Sequence, residues 1–344
     1  MFENGGVFIM AKLLKSNKNF DFYLEDFMMY CNMNELSRKT MNSYESTLNL
    51  FFKYLQEEKS IEVPQDVSKE DIEDYIIFTK ERGKYSYVSD EKTVGLNHPQ
   101  NRVDFGKQVS DCTINNYLRN IKVFFNYCSD KRFIRKNPVD KVKFIKTKRK
   151  MKDEITDGEY KALIKNIDIT IYSEYRDYTI INLIFDTGMR LSETLNLKLE
   201  DINLEEKTIL IPAEINKGKR DRYVFFSNAM YMKLRKWLQY KDRYSVNDIH
   251  LFPTKGGNII TASGFGRNFR EYVKRAGISK QITAHCLRNN FSKRFLLSGG
   301  DIFMLSKILG HSSVTVTEKA YLDVNKDDIK KSYQRYSPLE NMKR

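Results

Sequence analysis

Several polar residues in the second half of the chain interrupt apolar segments at positions suited to binding a phosphate group. Arg190 follows Thr187-Gly188-Met189, between a glycine turn and a helix start that Ser192 is expected to cap. The amides of a helix N-terminus and a guanidinium beside them form a site for an anion. A single arginine in this setting is more often an ordinary surface residue, so the argument depends on its companions.

A histidine and an arginine lie three positions apart in the segment His285-Cys286-Leu287-Arg288. This spacing places both on one face of a predicted helix, opposite a core-facing stripe of Leu287, Phe291 and Phe295. An arginine fork donates two hydrogen bonds to a phosphate, and a histidine transfers protons near neutral pH. A coincidence on a helix surface explains the same pair equally well when it is taken alone.

Three further residues extend this set. His311 follows Gly310 at a junction between two predicted helices, and Tyr321 comes ten residues later as one of 21 tyrosines. Lys217 lies in a predicted turn between two β-rich segments, with Lys219 as the competing candidate. None of these residues identifies a site by itself.

Taken in order, the fragments resemble the tyrosine recombinase, or phage-integrase-like, family of site-specific DNA recombinases. The matching fragments are Thr187-Gly188-Met189-Arg190 with Glu193, Lys217 in a β-turn, His285 with Arg288, Leu309-Gly310-His311-Ser312, and Tyr321. Each motif is weak alone, whereas the ordered set is highly specific. The resemblance covers nearly the whole chain, from about Phe20 to Tyr336.

The resemblance implies that Tyr321 is the nucleophile in the cleavage and rejoining of DNA. Arg190 and Arg288 would bind the non-bridging oxygens of the scissile phosphate, where negative charge develops during in-line attack. A phosphotyrosine stores the energy of the broken bond, so rejoining needs no ATP. The sequence has neither a carboxylate cluster for magnesium nor a glycine-rich nucleotide loop, and we expect no metal and no other cofactor.

Four residues receive supporting roles from the same resemblance. His285 would assist proton transfer, and His311 would donate a hydrogen bond to the phosphate. Lys217 would be the general acid for the leaving 5′ oxygen. Glu193 would orient the catalytic arginine and histidine without reacting itself.

The chain departs from the family pattern directly after Arg288. The family usually has a histidine and then a serine or threonine there, whereas this chain has Asn289 and Asn290. The catalytic positions are unchanged, so we expect activity to persist and the hydrogen bonding around His285 to differ.

Composition sets bounds on the class of protein. A length of 344 residues suits two domains, and a hydrophobic fraction of 41% suits packed cores. The net charge of +14 and a sequence pI near 9.3 favour a polyanionic partner, although a basic protein without such a partner has the same charge.

The cysteines and the hydropathy pattern bear on the compartment. Four scattered cysteines without a Cys-x-x-Cys pair argue against a disulfide scaffold and a zinc site. No apolar run approaches the roughly 18 residues of a membrane span, and the N-terminus lacks signal-peptide order. We therefore expect a cytoplasmic, nucleoid-associated protein with no membrane partner.

Amphipathic periodicity predicts helices throughout the first third of the chain. They cover Phe20–Met33, a segment capped by Ser37, a segment begun by Ser68, and a fourth opened by Asp111 or Thr113. The fold class we predict is mainly α with a small β-sheet. It comprises an N-terminal helical, SAM-like core-binding bundle and a C-terminal α+β tyrosine-recombinase catalytic domain, as the resemblance implies.

The second domain has its own start and turn signals. Thr156-Asp157-Gly158-Glu159 is typical of a capping box, and a buried helix is predicted from about Tyr172 to Phe185. Two β-rich segments follow, Thr208–Pro212 and Arg222–Phe226. Further helices are predicted at Ala229–Tyr240, Ser263–Ala276, His285–Ser298, Asp301–Leu309 and Lys326–Tyr336.

These signals divide the chain into four parts: an N-terminal extension at 1–19, a core-binding domain at 20–136, a basic linker at 137–153, and a catalytic domain with its C-terminal helix at 154–344. Met10 is an alternative start. Because roughly twenty residues precede the first helix, we expect no arm-binding domain, and this expectation favours a recombinase of the Xer, transposon or plasmid kind. The 83–110 loop is either functional or mobile.

The expected partner is double-stranded DNA with a specific core site, on which the chain would form a tetramer. An accessory DNA-bending or directionality factor is a further candidate partner. The helix after Tyr321 packs either on a neighbouring subunit or in cis. Candidate DNA contacts are exposed basic and amide side chains in both domains, namely Arg38, Lys39, Asn115, Asn116, Arg119, Lys143, Lys146, Lys219, Arg222 and Arg267.

Two other classes of protein remain as alternatives. A type IB topoisomerase shares the chemistry but relaxes DNA without site specificity, and the bundle before the motifs and the helix after the tyrosine argue against it. A non-catalytic DNA-binding protein explains the charge and the helices but not the ordered motifs. The sequence does not distinguish integration, excision and resolution of a mobile element, plasmid or replicon.

Overall fold

The computed structural model covers most of both predicted domains. It describes residues 19–89, 94–95, 98–147, 154–216, 218, 220–244, 249–311, 313–321, 333 and 342, with the backbone alone at 316 and 319–321. Chain contacts divide the protein into two compact units, Met1–Arg149 and Lys150–Arg344. The fold is mainly α-helical with one small β-sheet, as the sequence predicted.

The described part of the N-terminal unit is built from helices α1 to α4. These are α1 (Phe20–Met33), α2 (Arg38–Lys59), α3 (Lys69–Arg82) and α4 (Asp111–Asp130). Ser37 and Ser68 cap α2 and α3 as predicted, while α4 is capped by Ser110 immediately before Asp111. Each serine hydroxyl accepts a backbone N–H that the first helical turn leaves without a partner.

The core of the N-terminal unit continues beyond Lys136, after which the sequence suggested that the linker begins. Val139 and Val142 are buried with the aromatic residues of the bundle. The Lys122 ammonium group donates to the Val139 carbonyl at 2.7 Å. These apolar side chains lie between lysines. The charge of the segment therefore indicated a solvated linker, and its buried positions were not predicted.

Five helices and a sheet form the first part of the C-terminal unit as the structure describes it. They are α5 (Asp157–Lys165), α6 (Tyr172–Thr187), α7 (Leu191–Leu195), β1 (Ile202–Asn203), β2 (Thr208–Ile211), β3 (Arg222–Phe225), α8 (Asn228–Asp242) and α9 (Ala262–Arg275). Thr156 and Glu159 form the predicted capping box of α5. The chain continues with α10 (Ala284–Leu297), α11 (Ile302–Leu309) and α12 (Val314–Tyr321).

Helix α6 lies at the centre of this unit and packs against α8 and α10. The antiparallel sheet has the order β1-β2-β3, and β1 was not predicted. Ile209 of β2 pairs with Val224 of β3, and both side chains are fully buried. One face of the sheet therefore belongs to the core, and alternate residues of β3 point into it.

Some sequence predictions fall on residues that the structure does not describe. The described residues do not include Lys217, Lys219 or the 1–18 segment. Of the predicted helix over Lys326–Tyr336 they include Tyr333 alone. In the 83–110 loop, backbone hydrogen bonds join Lys84 to Gly106 and Lys107. Within the described ranges, none of the helices has the length and apolarity needed to cross a membrane.

Candidate active site

Four of the predicted site residues line one cleft in the C-terminal unit. The cleft measures about 1280 Å³ and is bordered by Arg190, His285, Arg288 and His311. These residues come from the start of α7, from α10 and from the junction between α11 and α12. Residues up to 121 positions apart in sequence thus face one cavity, as a site for a single phosphate group requires.

Arg190 begins α7, although not in the way the sequence suggested. Ser192 lies inside the helix, and Arg190 itself occupies the N-cap position. The Glu193 carboxylate accepts hydrogen bonds from the Arg190 backbone N–H at 2.8 Å and from its Nη1 at 2.7 Å. The expectation of a serine cap was therefore wrong, because the glutamate in the first turn satisfies the backbone instead.

Glu193 is fully buried between two arginines. Besides Arg190, its carboxylate accepts from Arg222 Nη2 at 2.6 Å and Nη1 at 3.1 Å. Burial would raise the pKa of Glu193, but hydrogen bonds and positive charge from Arg222 and then Arg190 outweigh it and lower that pKa below its ordinary value. Glu193 thus orients one predicted catalytic arginine, while none of its described hydrogen bonds reaches a histidine.

The Arg288 guanidinium is buried at the floor of the cleft, with 3% of the residue exposed. Its Nη1 donates to the Gly188 carbonyl at 2.6 Å, and its Nη2 donates to the Leu309 carbonyl at 2.9 Å. Nη2 also lies 3.1 Å from His311 Nε2. Arg288 thereby joins the carboxyl ends of α6 and α11, where backbone carbonyls lack helical partners.

His311 has both ring nitrogens engaged. Because Arg288 can only donate, Nε2 of His311 is the acceptor and the ring proton lies on Nδ1. Nδ1 is 2.7 Å from the hydroxyl of Thr317 on α12 and donates to it. Burial, followed by the charges of Arg288, Arg190 and Arg222, lowers the pKa of His311 to about 4, so the imidazole is neutral at pH 7.

Two glycines, at the carboxyl ends of α6 and α11, leave room for side chains that pack against these ends. Gly188 has φ +68°, and a Cβ there would lie 2.3 Å from a ring carbon of Phe291. Gly310 has φ +64°, and a Cβ there would lie 2.9 Å from the Arg222 side chain. Both positions combine a left-handed backbone with a lack of room, so only glycine fits without displacement.

His285 lies exposed on α10 at the edge of the cleft, one turn before Arg288. On the core side of this helix Leu287 is fully buried, whereas Phe291 and Phe295 are only partly buried.

Asn290, one of the two asparagines that depart from the family pattern after Arg288, pairs with the backbone at the start of the C-terminal unit. With its amide oriented for pairing, Asn290 donates to the Ile155 carbonyl and accepts from the Ile155 N–H, each at 3.0 Å. Lys293 one turn later binds the Glu154 carboxylate at 2.9 Å. These contacts fasten the first residues of the C-terminal unit to the helix that carries Arg288.

The backbone of α12 ends at Tyr321, four residues after Thr317. Its side chain lies outside the described part of the chain, as does the whole of Lys217. The structure therefore brings together Arg190, His285, Arg288 and His311 at one cleft. The catalytic roles of these residues, like those of Tyr321 and Lys217, stay predictions.

The predicted DNA contacts separate into two groups. Most are exposed in the structure, namely Arg38, Lys39, Asn116, Arg119, Lys143, Lys146 and Arg267. Asn115 and Arg222 differ from the expectation. The Asn115 amide pairs with the backbone of Ile145, and the Arg222 side chain is 8% exposed and directed at Glu193. Neither presents its polar group outward, and the DNA contact predicted for each stays a prediction.

Comparison with protein families gives two matches. Residues 153–328 match the model described as "Phage integrase family", which is more than half of the chain, and residues 24–93 match "Phage integrase, N-terminal SAM-like domain". The chain belongs to the phage integrase family. The N-terminal bundle and the catalytic domain thus have the family's own architecture, as the motifs implied.

The chain is similar over most of its length to two named relatives and to one solved structure. Tyrosine recombinase XerC of Thermodesulfovibrio yellowstonii is 26% identical over 328 residues, covering 93% of this chain and 98% of the relative. Tyrosine recombinase XerD of Staphylococcus haemolyticus is 25% identical over 308 residues, covering 86% and 99%. The Tn1549 transposon integrase, solved in complex with a circular intermediate DNA, has a TM-score of 0.68 at 20% identity, covering 92% and 98%.

Sequence reasoning missed two residues of this integrase-family site. Thr317 had no distinguishing signal, because its contact with His311 depends on how α12 folds back. Arg222 was assigned to the DNA surface, yet a signal existed: it precedes Val224 and Phe226 at a spacing of two, and both of these are buried. Alternation along a strand places all three on the inward face.

Proposed function

We propose that this chain is a site-specific tyrosine recombinase that exchanges strands between two duplex DNA sites through a 3′-phosphotyrosine intermediate. The observation that carries the proposal is the convergence of Arg190, Arg288 and His311 on one cleft, next to the helix that ends at Tyr321. The reaction would integrate, excise or resolve a mobile element, plasmid or replicon. It would need neither ATP nor a metal, because the arginines supply the positive charge.

The cleavage step follows from these residues. The Tyr321 phenolate attacks the phosphorus, a bond forms between its oxygen and the phosphorus, and the bond to the 5′ oxygen breaks. The phenolic proton passes to solvent with the help of His285 before the attack, and Lys217 supplies the proton that the leaving 5′ oxygen takes up. Rejoining reverses these changes with a 5′ hydroxyl from the partner strand, so the number of phosphodiester bonds is conserved.

Each remaining residue acts on charge or protons in this scheme. Arg190, one quarter of whose side chain is exposed, and Arg288 hold the non-bridging oxygens. Lys217 protonates the leaving oxygen, and His285 assists proton transfer. Burial, and then the arginine charges, depress the pKa of His311. A bound phosphate offsets the arginine charges and so raises this pKa, which favours an imidazole that donates from Nε2.

A DNA partner is supported by the net charge of +14 and by exposed basic residues in both units. The Tn1549 transposon integrase, of the same fold, was solved on DNA. We propose that the chain assembles as a tetramer on two core sites, with a DNA-bending or directionality factor as an accessory partner.

A covalent selection tests the function and identifies the target site in one experiment. The purified protein is incubated with a library of nicked suicide duplexes that carry randomised inverted repeats. DNA that remains attached to protein in detergent is recovered, sequenced and enriched over several rounds. We expect a defined site to emerge, and two copies of it to recombine when placed on one plasmid.

Other outcomes decide between the alternatives. Adducts spread over unrelated sequences, together with relaxation of any supercoiled plasmid, would indicate a type IB topoisomerase. DNA binding with no adduct at any site would indicate a non-catalytic DNA-binding protein. Either result would overturn the proposed recombinase.

A further inference from the structure

Arg222 has the most extensive contacts of the basic residues predicted to bind DNA, and these contacts are internal to the described part of the chain. Two of its nitrogens bind the Glu193 carboxylate, and its Nε donates to the Ile308 carbonyl at 3.1 Å. Its side chain is 8% exposed. The guanidinium of Arg222 is planar, and its bonds to three acceptor oxygens hold it in one position and orientation.

The Glu193 carboxylate is shared between Arg190, which donates from its backbone N–H and from Nη1, and the guanidinium of Arg222, which donates twice. It accepts four hydrogen bonds, two from Arg190 and two from Arg222, which fills the capacity of its two oxygens. Without Arg222, a fully buried carboxylate would face one arginine only. That arginine would then be drawn into a tight pair with Glu193, at the expense of any anion in the cleft.

Arg222 is also fixed against the element that presents His311. Ile308 belongs to the last turn of α11, and Gly310 packs directly on the Arg222 side chain. His311 follows immediately. One guanidinium therefore contacts both the glutamate that orients Arg190 and the turn that carries the histidine.

We propose that Arg222 is a positioning residue that holds Glu193, and through it Arg190, in the geometry that presents Arg190 to the scissile phosphate. The inference rests on the proposed function, and it assigns to the end of the β-hairpin a task in the cleavage step in place of the DNA contact expected from its charge. In this role Arg222 does not itself react or bind the scissile phosphate. The effect of Arg222 on Arg190 passes through Glu193.

The test uses the duplex obtained from the covalent selection and the full-length protein. Cleavage rates at saturating enzyme and Kd for the duplex are measured for wild type, Arg222→Gln, Arg222→Lys, Glu193→Gln and the double variant Glu193→Gln/Arg222→Gln. Arg235→Gln, which removes one charge from an exposed position on α8, is the matched control. Thermal unfolding of each variant monitors folding.

We expect Arg222→Gln to cleave about 10- to 100-fold more slowly with an unchanged Kd, and Arg235→Gln to match wild type. The double variant should be no slower than the slower single variant, because both substitutions remove one pathway. Three results would overturn the inference. The first is a double variant whose rate loss is the product of the two single losses. The others are a wild-type rate in Arg222→Gln and an Arg222→Gln variant that binds the duplex more weakly but cleaves at the wild-type rate.

A pH profile separates positioning from general damage to the fold. Among the described residues, the charged groups that contact Glu193 are Arg190 at the N-cap of α7 and Arg222 on β3. Removing Arg222 lets burial raise the pKa of Glu193, so the rate of Arg222→Gln should fall further below wild type as the pH is lowered. Arg222→Lys keeps the charge but not the fork, and should be slow without this added pH dependence.

Two further results are decisive. A lack of cooperative unfolding would mean that Arg222→Gln is not properly folded. The test would then depend on Arg222→Lys, and a wild-type cleavage rate in Arg222→Lys would refute the inference. Absence of any adduct with wild type would refute the proposed function and this inference together. An active wild type with unchanged Arg222 variants would refute this inference only.

Discussion

Nδ1 of His311 and the hydroxyl of Thr317 lie 2.7 Å apart, and this bond ties a histidine of the cleft to the helix that ends at Tyr321. The same ring meets Arg288 through Nε2. A chain of two hydrogen bonds therefore runs from the floor of the cleft to the first turns of α12. Any change in the position of α12 acts on the tautomer and the orientation of His311.

Thr317→Val should slow cleavage about tenfold, because Nδ1–H of His311 loses its acceptor and the ring is no longer held in one orientation. The free energy of unfolding should fall by about 1 kcal/mol, the usual contribution of a buried hydrogen bond. Thr317→Ser keeps the hydroxyl and is the control. Single-turnover cleavage and urea unfolding measure the two effects, and equal rates in the valine and serine variants would exclude this role for the hydroxyl.

The lowered pKa of His311 predicts a stability change with pH in the absence of DNA. The folded protein holds this pKa at about 4, against an ordinary value of 6.5, so between these values only the unfolded chain binds the proton. The contribution of His311 is thus complete above pH 6.5 and is lost as the pH falls towards 4. The Tm of wild type should drop more than that of His311→Gln over this range, and parallel curves would contradict the assignment.

Gly310→Ala should harm the protein more than the same change at Gly277. Both glycines have a left-handed backbone, with φ +64° and φ +69°, but a Cβ at Gly277 meets nothing within 4 Å whereas one at Gly310 meets Arg222. Backbone strain should cost each variant about 1–2 kcal/mol. Displacement of Arg222 should cost Gly310→Ala roughly 1–3 kcal/mol more and slow cleavage. Equal free energies of unfolding for Gly310→Ala and Gly277→Ala would show that the Arg222 side chain can move away from the added methyl group without cost.

The features that could be predicted from the sequence are those determined locally or by order along the chain. Ser37, Ser68 and Thr156 cap their helices because a hydroxyl beside unpaired amides acts within three residues. The ordered motifs identified Arg190 and Arg288 as companions, since their order along the chain does not depend on how the chain folds.

The features that could not be predicted depend on docking between distant segments. The contact between Arg222 and Glu193 joins residues 29 positions apart and exists only because the fold brings the start of β3 within reach of Glu193. The bond from Asn290 to Ile155 likewise needs α10 to lie against the start of the unit. The two-residue strand β1 is too short to give an alternating pattern.

The central claim is that Tyr321 is the nucleophile, and the adduct assay on a nicked suicide duplex tests it most directly. Wild type, Tyr321→Phe and Tyr333→Phe are incubated with the selected site and separated in detergent; Tyr333 is a matched tyrosine, 68% exposed. We predict that wild type and Tyr333→Phe form a covalent protein–DNA band, and that Tyr321→Phe binds the duplex without forming one. A band of wild-type yield from Tyr321→Phe would contradict the claim.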